Sequence, residues 1–459
     1  MDEERQIKEI VDEEEFHNLL ADKKSEKKEV REILKKAEEK KGLTLKEVAI
    51  LLNLRDKELI SEMEEVAGRI KREIYGERLV LFAPLYLSNF CVNDCEYCGF
   101  HRRNPQPRKK LTFAEIEEEV RTIISMGHKR ILVEAGEDPK ENPISYIVQA
   151  IQKIYETKEG RGEIRRVNVN ISATTVENYR RLKEVGIGTY QLFQETYHRP
   201  TYERLHKGPK ADFVRQIFAH NQAFLAGIDD IGLGVLFGLY DYRFEVLGLV
   251  SHAHYLEKRF GIGPHTISVP RFRPAPTVNF SPPYPVSEEE LLKIIAILRL
   301  AVPYTGMIIS TRERAEIREK AFEIGISQTS AGSRTTPGGY TAEETSPQFE
   351  ISDRRRLDEV VLAMLRKNFI PSFCTACYRS GRTGERFMKM AKPGEIHHLC
   401  RPNGLLTFKE YLLDYAGEEV KKLGEEVLNY YLEKVDSGFK EKTKEFLIRI
   451  EKGERDIYF

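Results

Sequence analysis

The sequence predicts an α/β fold: a TIM-type (β/α)8 barrel with an N-terminal helical extension and a mostly helical C-terminal domain. Three observations lead there. Short apolar, β-rich runs alternate with helix-period windows eight times between residues 79 and 330, the alternation of a parallel barrel. A charged helical pattern precedes them. After Ser330 the alternation stops.

Residues 1–75 read as the helical extension, where Thr44 and Glu47 form a capping box ahead of Val48, Leu51 and Leu52. The first strand, Leu79 to Tyr86, delivers a cysteine loop at its C-terminal end, and Thr112 with Glu115 caps the helix that follows. Later strands are expected at Arg130 to Val133, Val167 to Ile171, Thr189 to Phe193, Ile231 to Leu236, Thr266 to Val269, Met307 to Ser310 and Ile326 to Ser330. Between them lie helical windows Tyr146 to Tyr155, Val176 to Val185, Phe213 to Phe224, Phe244 to Leu256, Glu288 to Leu300 and Ala315 to Phe322. Gly338-Gly339 and the polar run to Pro347 read as a linker or lid. The expected domains are therefore residues 1–75, 76–335 and 336–459.

Lys plus Arg and Asp plus Glu are both 73, so the 459-residue chain carries no net charge and no general surface for nucleic acid or anionic membrane. The start, Met1-Asp2-Glu3-Glu4, is acidic, and no long apolar run follows anywhere. That excludes a signal core or membrane span and places the chain in the cytoplasm. All six cysteines fall into two triplets, which in a reducing compartment reads as metal binding rather than disulfides.

The first triplet is Cys91, Cys95 and Cys98, spaced C-x3-C-x2-C with Tyr97 before the last cysteine. Three thiolates on one short loop suit a 4Fe-4S cube and leave one iron open. An open iron on a low-potential cluster can chelate S-adenosylmethionine (SAM) through its amino and carboxylate groups. A zinc loop fits less well, because such loops pair C-x2-4-C with a second ligand pair. At the end of the second strand stand Glu134-Ala135-Gly136-Glu137, whose small residues let backbone approach a ligand closely. Glu195, ending the fourth strand, and Arg215, on the next helix, are candidates for the ribose hydroxyls and the SAM carboxylate. The second triplet, Cys374, Cys377 and Cys400, suits either another cube or a zinc site completed by His397 or His398. Arg379, Arg382 and Arg386 nearby would stabilise an anionic cluster or simply be solvated.

Further residues carry a resemblance. Leu85-Tyr86-Leu87-Ser88-Asn89-Phe90, Ser310-Thr311-Arg312-Glu313, Ser330-Ala331-Gly332-Ser333 and the C-x2-C-x22-C tail resemble the HydG family, the radical SAM tyrosine lyases that mature [FeFe]-hydrogenase. The resemblance runs from about residue 45 to the end. It implies a radical SAM barrel in which Ala135, Gly136 and Glu137 stand where a GGE-like run binds the methionyl amino group. It further implies cleavage of L-tyrosine to p-cresol and dehydroglycine, with dehydroglycine becoming CO and cyanide at a second 4Fe-4S cluster on the tail triplet. Arg312 and Ser330 match residues that hold the substrate carboxylate in related lyases, and Tyr86 matches one near its amino group. His265 immediately precedes the sixth strand at the barrel's bottom, where a lone histidine is ordinarily structural; the resemblance instead makes it a ligand of a labile additional iron bridged by a free cysteine molecule. Implied partners are a low-potential electron donor (ferredoxin or flavodoxin) and the other hydrogenase maturation proteins. The rival readings are 2-iminoacetate synthase of thiamine biosynthesis, which lacks the tail triplet, and a non-catalytic iron-sulfur carrier.

Overall fold

The structure, a computed structural model, describes residues 2–21, 26–343 and 345–459. Met1 and residues 22–25 of the expected extension, and residue 344 of the expected linker, lie outside the described residues.

Among the described residues, eight parallel strands close into a barrel: β1 (Arg78–Ser88), β2 (Arg130–Ala135), β3 (Arg166–Asn170), β4 (Tyr190–Gln191), β5 (Ile231–Gly234), β6 (Thr266–Ser268), β7 (Gly306–Ile309) and β8 (Gln328–Ser330). Closure comes from β8 beside β1, with Val80 opposite Gln328 and Phe82 opposite Ser330. All eight expected strands are present. A ninth that the sequence did not suggest, β9 (Ile370–Ser372), pairs with the start of β1, Arg78 opposite Ile370.

Alternation along β1 explains its packing. Leu79, Leu81, Ala83, Leu85 and Leu87 are fully buried against the surrounding helices, while Phe82, Pro84 and Tyr86 line the interior. Inside, Phe82, Leu132 and Ile308 form a separate apolar layer. Below it the interior is polar: Arg130 Nη1 donates to Gln328 Oε1 (3.2 Å) and Gln191 Nε2 to Thr266 Oγ1 (3.3 Å). Ordinary barrels fill these layers with branched aliphatics. This one therefore holds its strands by closure and outer packing, and keeps a polar interior.

The helical windows match, with one difference. Phe213 to Phe224 resolves into Phe213–Ile217 and Ala219–Leu225, broken at Phe218. The pieces are tied to different strand segments, Gln216 Nε2 to Phe193 O (2.7 Å) and His220 Nε2 to Gly232 O (3.1 Å). The capping boxes at Thr44 and Thr112 both form. In the extension, Lys57–Tyr75 packs along Glu288–Ala301. Buried Lys293 donates to Leu52 O and Leu54 O (2.8 and 2.6 Å), fastening extension to barrel. Beyond β9 the described residues are helical, chiefly His397–Asp414, Glu418–Leu432 and Ser437–Glu451. Among the described residues no helix is long and apolar enough to cross a membrane.

Leu81 supplies a test of the outer packing. Leu81→Ala should cost about 2–5 kcal/mol of stability, read as a lower denaturation midpoint with unchanged slope.

Candidate active site

The candidate site is a cavity at the C-terminal mouth of the barrel, where β1 passes directly into the cysteine loop. Backbone bonds pin that loop on three sides. Val92 N donates to Glu137 O (2.7 Å), Asp94 N to Lys207 O (3.0 Å), and Gly99 N to Gln348 O (3.0 Å). Arg108 adds bonds to the carbonyls of Asn89, Phe100 and His101. Cys91, Cys95 and Cys98 all line the cavity. Burial raises the pKa of each thiol, that of Cys98 to about 11. Thiolates there therefore need a cationic group to hold them. Among the described residues neither cysteine triplet gathers its sulfurs within 4.8 Å of one another. One zinc ion would draw thiolates to about 4 Å apart. The wider spacing fits a cube, in which each thiolate takes its own iron.

The end of β2 closes against this loop because residue 136 is glycine. A Cβ there would meet Phe90 O at 2.4 Å and Cys91 Cβ at 3.1 Å. Asn142 Nδ2 bridges Phe90 O and Gly136 O (3.0 and 2.8 Å). Ala135, Gly136 and Glu137 all face the cavity. The Glu137 carboxylate takes Asn93 Nδ2 (2.6 Å) on one oxygen and Arg215 Nη2 (2.5 Å) on the other. Arg215 is thus not in the cavity lining; it orients a residue that is. Glu195 lines the cavity with its backbone in the left-handed region (φ 68°), a strain that clusters at functional sites. It bonds Lys210 Nζ (2.6 Å). Burial opposes the charge of Lys210, but Glu195 and Cys95 outweigh burial and raise its pKa. Tyr97 is buried, with its hydroxyl 2.8 Å from His206 Nε2.

On the other wall stand Tyr86, Arg312 and Ser330. Arg312 is stacked 3.2 Å above the Phe349 ring. Among the described residues its guanidinium has no hydrogen-bond partner, so its donors are available to a ligand. Ser330 Oγ accepts Thr311 N (3.3 Å), and Tyr86 OH donates to Gln348 Oε1 (2.9 Å). Glu134 stands nearby, its carboxyl pushed up to about 8 by burial. Gln348 and Phe349 belong to the segment after Gly338-Gly339, which crosses the mouth and contacts the cysteine loop. Lys210, Asn93, Gln348 and Phe349 escaped the sequence reading, since each acts through contacts distant in sequence.

The tail triplet lies at the opposite end, brought there by β9. Arg130 Nη2 donates to Cys374 O (2.7 Å), and the charge of Arg78 works against burial at the Cys400 thiol. Arg78 Nε, Arg130 Nε and Arg166 Nη1 are buried without an acceptor, donors that an anionic cluster and its ligands would satisfy. His265 Nδ1 is 3.2 Å from Asp230 Oδ2. Its ring lies against two rings of the tail, Phe387 (4.1 Å between centroids) and Tyr378 (5.8 Å). Burial, with Arg166, Arg130 and Arg78, holds its pKa well below the usual range, so the imidazole is neutral. Arg379 pairs with Asp456 and Arg382 donates to Phe459 O (2.5 Å), while Arg386 donates to Ser380 O (3.1 Å). His397 and His398 turn to Gly394 O and Asp436 (2.6 Å each), and no cysteine sulfur joins them.

Residues 85–247 match the family model of the radical SAM superfamily, and residues 268–370 that of the biotin and thiamin synthesis associated domain. Fold and site thus define a radical SAM protein, a class whose barrel carries a 4Fe-4S cluster and SAM. The chain is 55% identical to the crystal structure described as "HydG: A maturase of the [FeFe]-hydrogenase", covering 98% of this chain and 100% of that one with a TM-score of 0.95. For the HydG structure from Carboxydothermus hydrogenoformans the identity is 41%, the coverage 97% and 99%, and the TM-score 0.85. The 2-iminoacetate synthase of Escherichia coli (strain K12) is 31% identical over 347 residues, 75% of this chain and 90% of the relative. The chain belongs to the HydG family.

If Gly136 is what lets β2 close on the cysteine loop, Gly136→Val should separate them. Iron per reconstituted chain should fall by about half, the share of one cube of two, with far-ultraviolet circular dichroism unchanged; full iron would show that the loop forms without this contact.

Proposed function

We propose that the chain is a radical SAM tyrosine lyase that cleaves L-tyrosine to p-cresol and dehydroglycine and converts the latter to CO and cyanide for [FeFe]-hydrogenase assembly. One observation carries this reading beyond tyrosine cleavage: the polar barrel has a cysteine triplet at each end, the lower one beside the neutral imidazole of His265. The 2-iminoacetate synthase reading rests on a lower likeness, 31% identity over 75% of this chain, and gives the lower site no task.

When bound at the upper triplet, the 4Fe-4S cluster and SAM supply one-electron cleavage of the sulfonium and a 5′-deoxyadenosyl radical. The chain's own residues hold and position. Cys91, Cys95 and Cys98 hold the cluster; Glu137, fixed by Asn93 and Arg215, faces the methionyl amine beside Ala135 and Gly136. Glu195, fixed by Lys210, takes the ribose hydroxyls, and Tyr97 packs behind the loop. Arg312, without a hydrogen-bond acceptor among the described residues, and Ser330 hold the tyrosine carboxylate, with Tyr86 near the amine. A substrate held this way keeps its reactive hydrogen within reach of a short-lived radical. Gln348, bonded to Tyr86, and Phe349, stacked on Arg312, complete the wall around the substrate.

At the lower end, Cys374, Cys377 and Cys400 would hold the second cube. His265, a neutral imidazole whose Nδ1 lies 3.2 Å from Asp230 Oδ2, would be the nitrogen ligand of an additional labile iron. The same site would take up a free cysteine molecule together with this iron. The proposed partners are a ferredoxin- or flavodoxin-type donor and the other hydrogenase maturation proteins.

The test is anaerobic reconstitution followed by SAM, reductant and tyrosine, with 5′-deoxyadenosine, p-cresol and CO assayed together. Cys98→Ser should abolish all three. Cys377→Ser should keep p-cresol, lose most CO, and lose the roughly four irons of one cube together with the labile iron. CO formation at the wild-type rate by Cys377→Ser would leave tyrosine cleavage standing and remove the lower site from the reaction.

His265→Ala should retain both cubes and p-cresol formation but lose about one iron per chain, together with any high-spin paramagnetic signal of a coupled five-iron site. An unchanged iron count and spectrum would make His265 a structural residue.

A further inference from the structure

Apart from the cysteine triplets, one group of metal-ligating side chains converges among the described residues. His397, His398 and Asp436 offer donor atoms that all lie within 4.8 Å of one another. The two histidines open helix His397–Asp414, and Asp436 directly precedes helix Ser437–Glu451, so the group spans two helix starts. All three side chains are half-exposed, while Cys400, one turn further on, is buried and outside the group.

The hydrogen bonds fix which ring atoms are free. His397 Nδ1 lies 2.6 Å from Gly394 O, and a carbonyl only accepts, so Nδ1 carries the proton and Nε2 presents its lone pair. His398 Nδ1 lies 2.6 Å from Asp436 Oδ2, so an ion shared by these two atoms takes the place of the proton between them. For His397, an oxygen acceptor on the other ring nitrogen is the arrangement that orients metal-binding imidazoles. Asp436 adds an independent sign. It occupies a helix N-cap, where aspartate ordinarily accepts backbone N–H groups, yet its side chain caps nothing and turns to the histidine. Neighbouring cations are engaged elsewhere, Lys440 with Glu433 (2.7 Å) and Arg401 with Lys434 O (2.7 Å).

We propose that His397, His398 and Asp436 bind one divalent first-row transition ion, such as Zn²⁺ or Fe²⁺, at a surface site separate from both cysteine triplets. Two imidazoles and a carboxylate select these borderline ions over Mg²⁺ and Ca²⁺, which prefer all-oxygen shells. The exposed side leaves positions for water. A bound ion clips the start of the helix that carries Cys400 to the start of the last helix, and stabilises the tail by mass action. The inference stands whatever the substrate at the barrel mouth.

The test uses full-length protein, anaerobically reconstituted and freed of loose metal. Zn²⁺ is titrated by calorimetry against a competing chelator, with thermal melts in parallel. Wild type should take up one Zn²⁺ per chain without losing cluster iron, and should melt higher with Zn²⁺ than without. His397→Gln and Asp436→Asn, both close in shape to the originals, should weaken uptake at least tenfold and remove the Zn²⁺-dependent rise, with iron and sulfide content unchanged. No uptake by wild type, or equal uptake by the variants, overturns the proposal.

Discussion

The pairing of one strand with three others governs the rest of this structure. The eleven-residue β1 bonds β2 along its upper part, β8 in the middle and β9 at its start. At about 3.3 Å per residue it spans roughly 33 Å. Its last residue precedes the upper cysteine loop, and the charge of its first, Arg78, acts on the Cys400 thiol of the lower triplet. The two triplets sit at opposite ends of a barrel because each is fastened to an opposite end of this strand. Shortening or slipping β1 would disturb both at once, since a one-residue slip exchanges the face buried under helices with the face lining the interior.

Charge inside the barrel follows the same axis. At the top, carboxylates and cations come in matched sets, Glu137 with Arg215 and Glu195 with Lys210, so these groups are held without a ligand. Arg312 departs from this, a half-buried cation lying on a ring rather than against a carboxylate. At the bottom the imbalance is larger. Arg78, Arg130 and Arg166 crowd the region of the tail thiols and leave donors unsatisfied. Buried donors without acceptors are costly. A fold that keeps three of them together is built for an anionic occupant, and thiolate-bound clusters are anionic.

Much of this was legible in the sequence, for identifiable reasons. The eight strands and their helices declare themselves because each is buried on a predictable face, and the cysteine spacing declares a cluster because few other ligands use it. The ninth strand was not legible: Ile370-Pro371-Ser372 is too short to show periodicity and contains proline, which argues against a strand in most settings. Proline is tolerated there because β9 lies at an edge. Lys210 and Gln348 were missed since a lysine in a turn and a glutamine in a linker gain meaning only from Glu195 and Tyr86, which lie far away in sequence. His265 was singled out by resemblance alone, and what the structure adds is its company: Asp230 on one side and two aromatic rings of the tail on the other.

The long-range pairing of β1 with β9 also orders events during synthesis. Arg78 and Ile370 are hundreds of residues apart in sequence, so the strand that leads into the upper cysteine loop leaves the ribosome long before the segment that completes its lower end. Contacts of such separation form late, because the chain between them must first be confined. The upper loop draws two of its three backbone supports, Glu137 and Lys207, from the first half of the chain and the third from Gln348, whereas the lower triplet is contributed by the final segment and docks on a barrel already closed. A nascent chain therefore passes through a stage in which one metal site can be filled and the other does not yet exist.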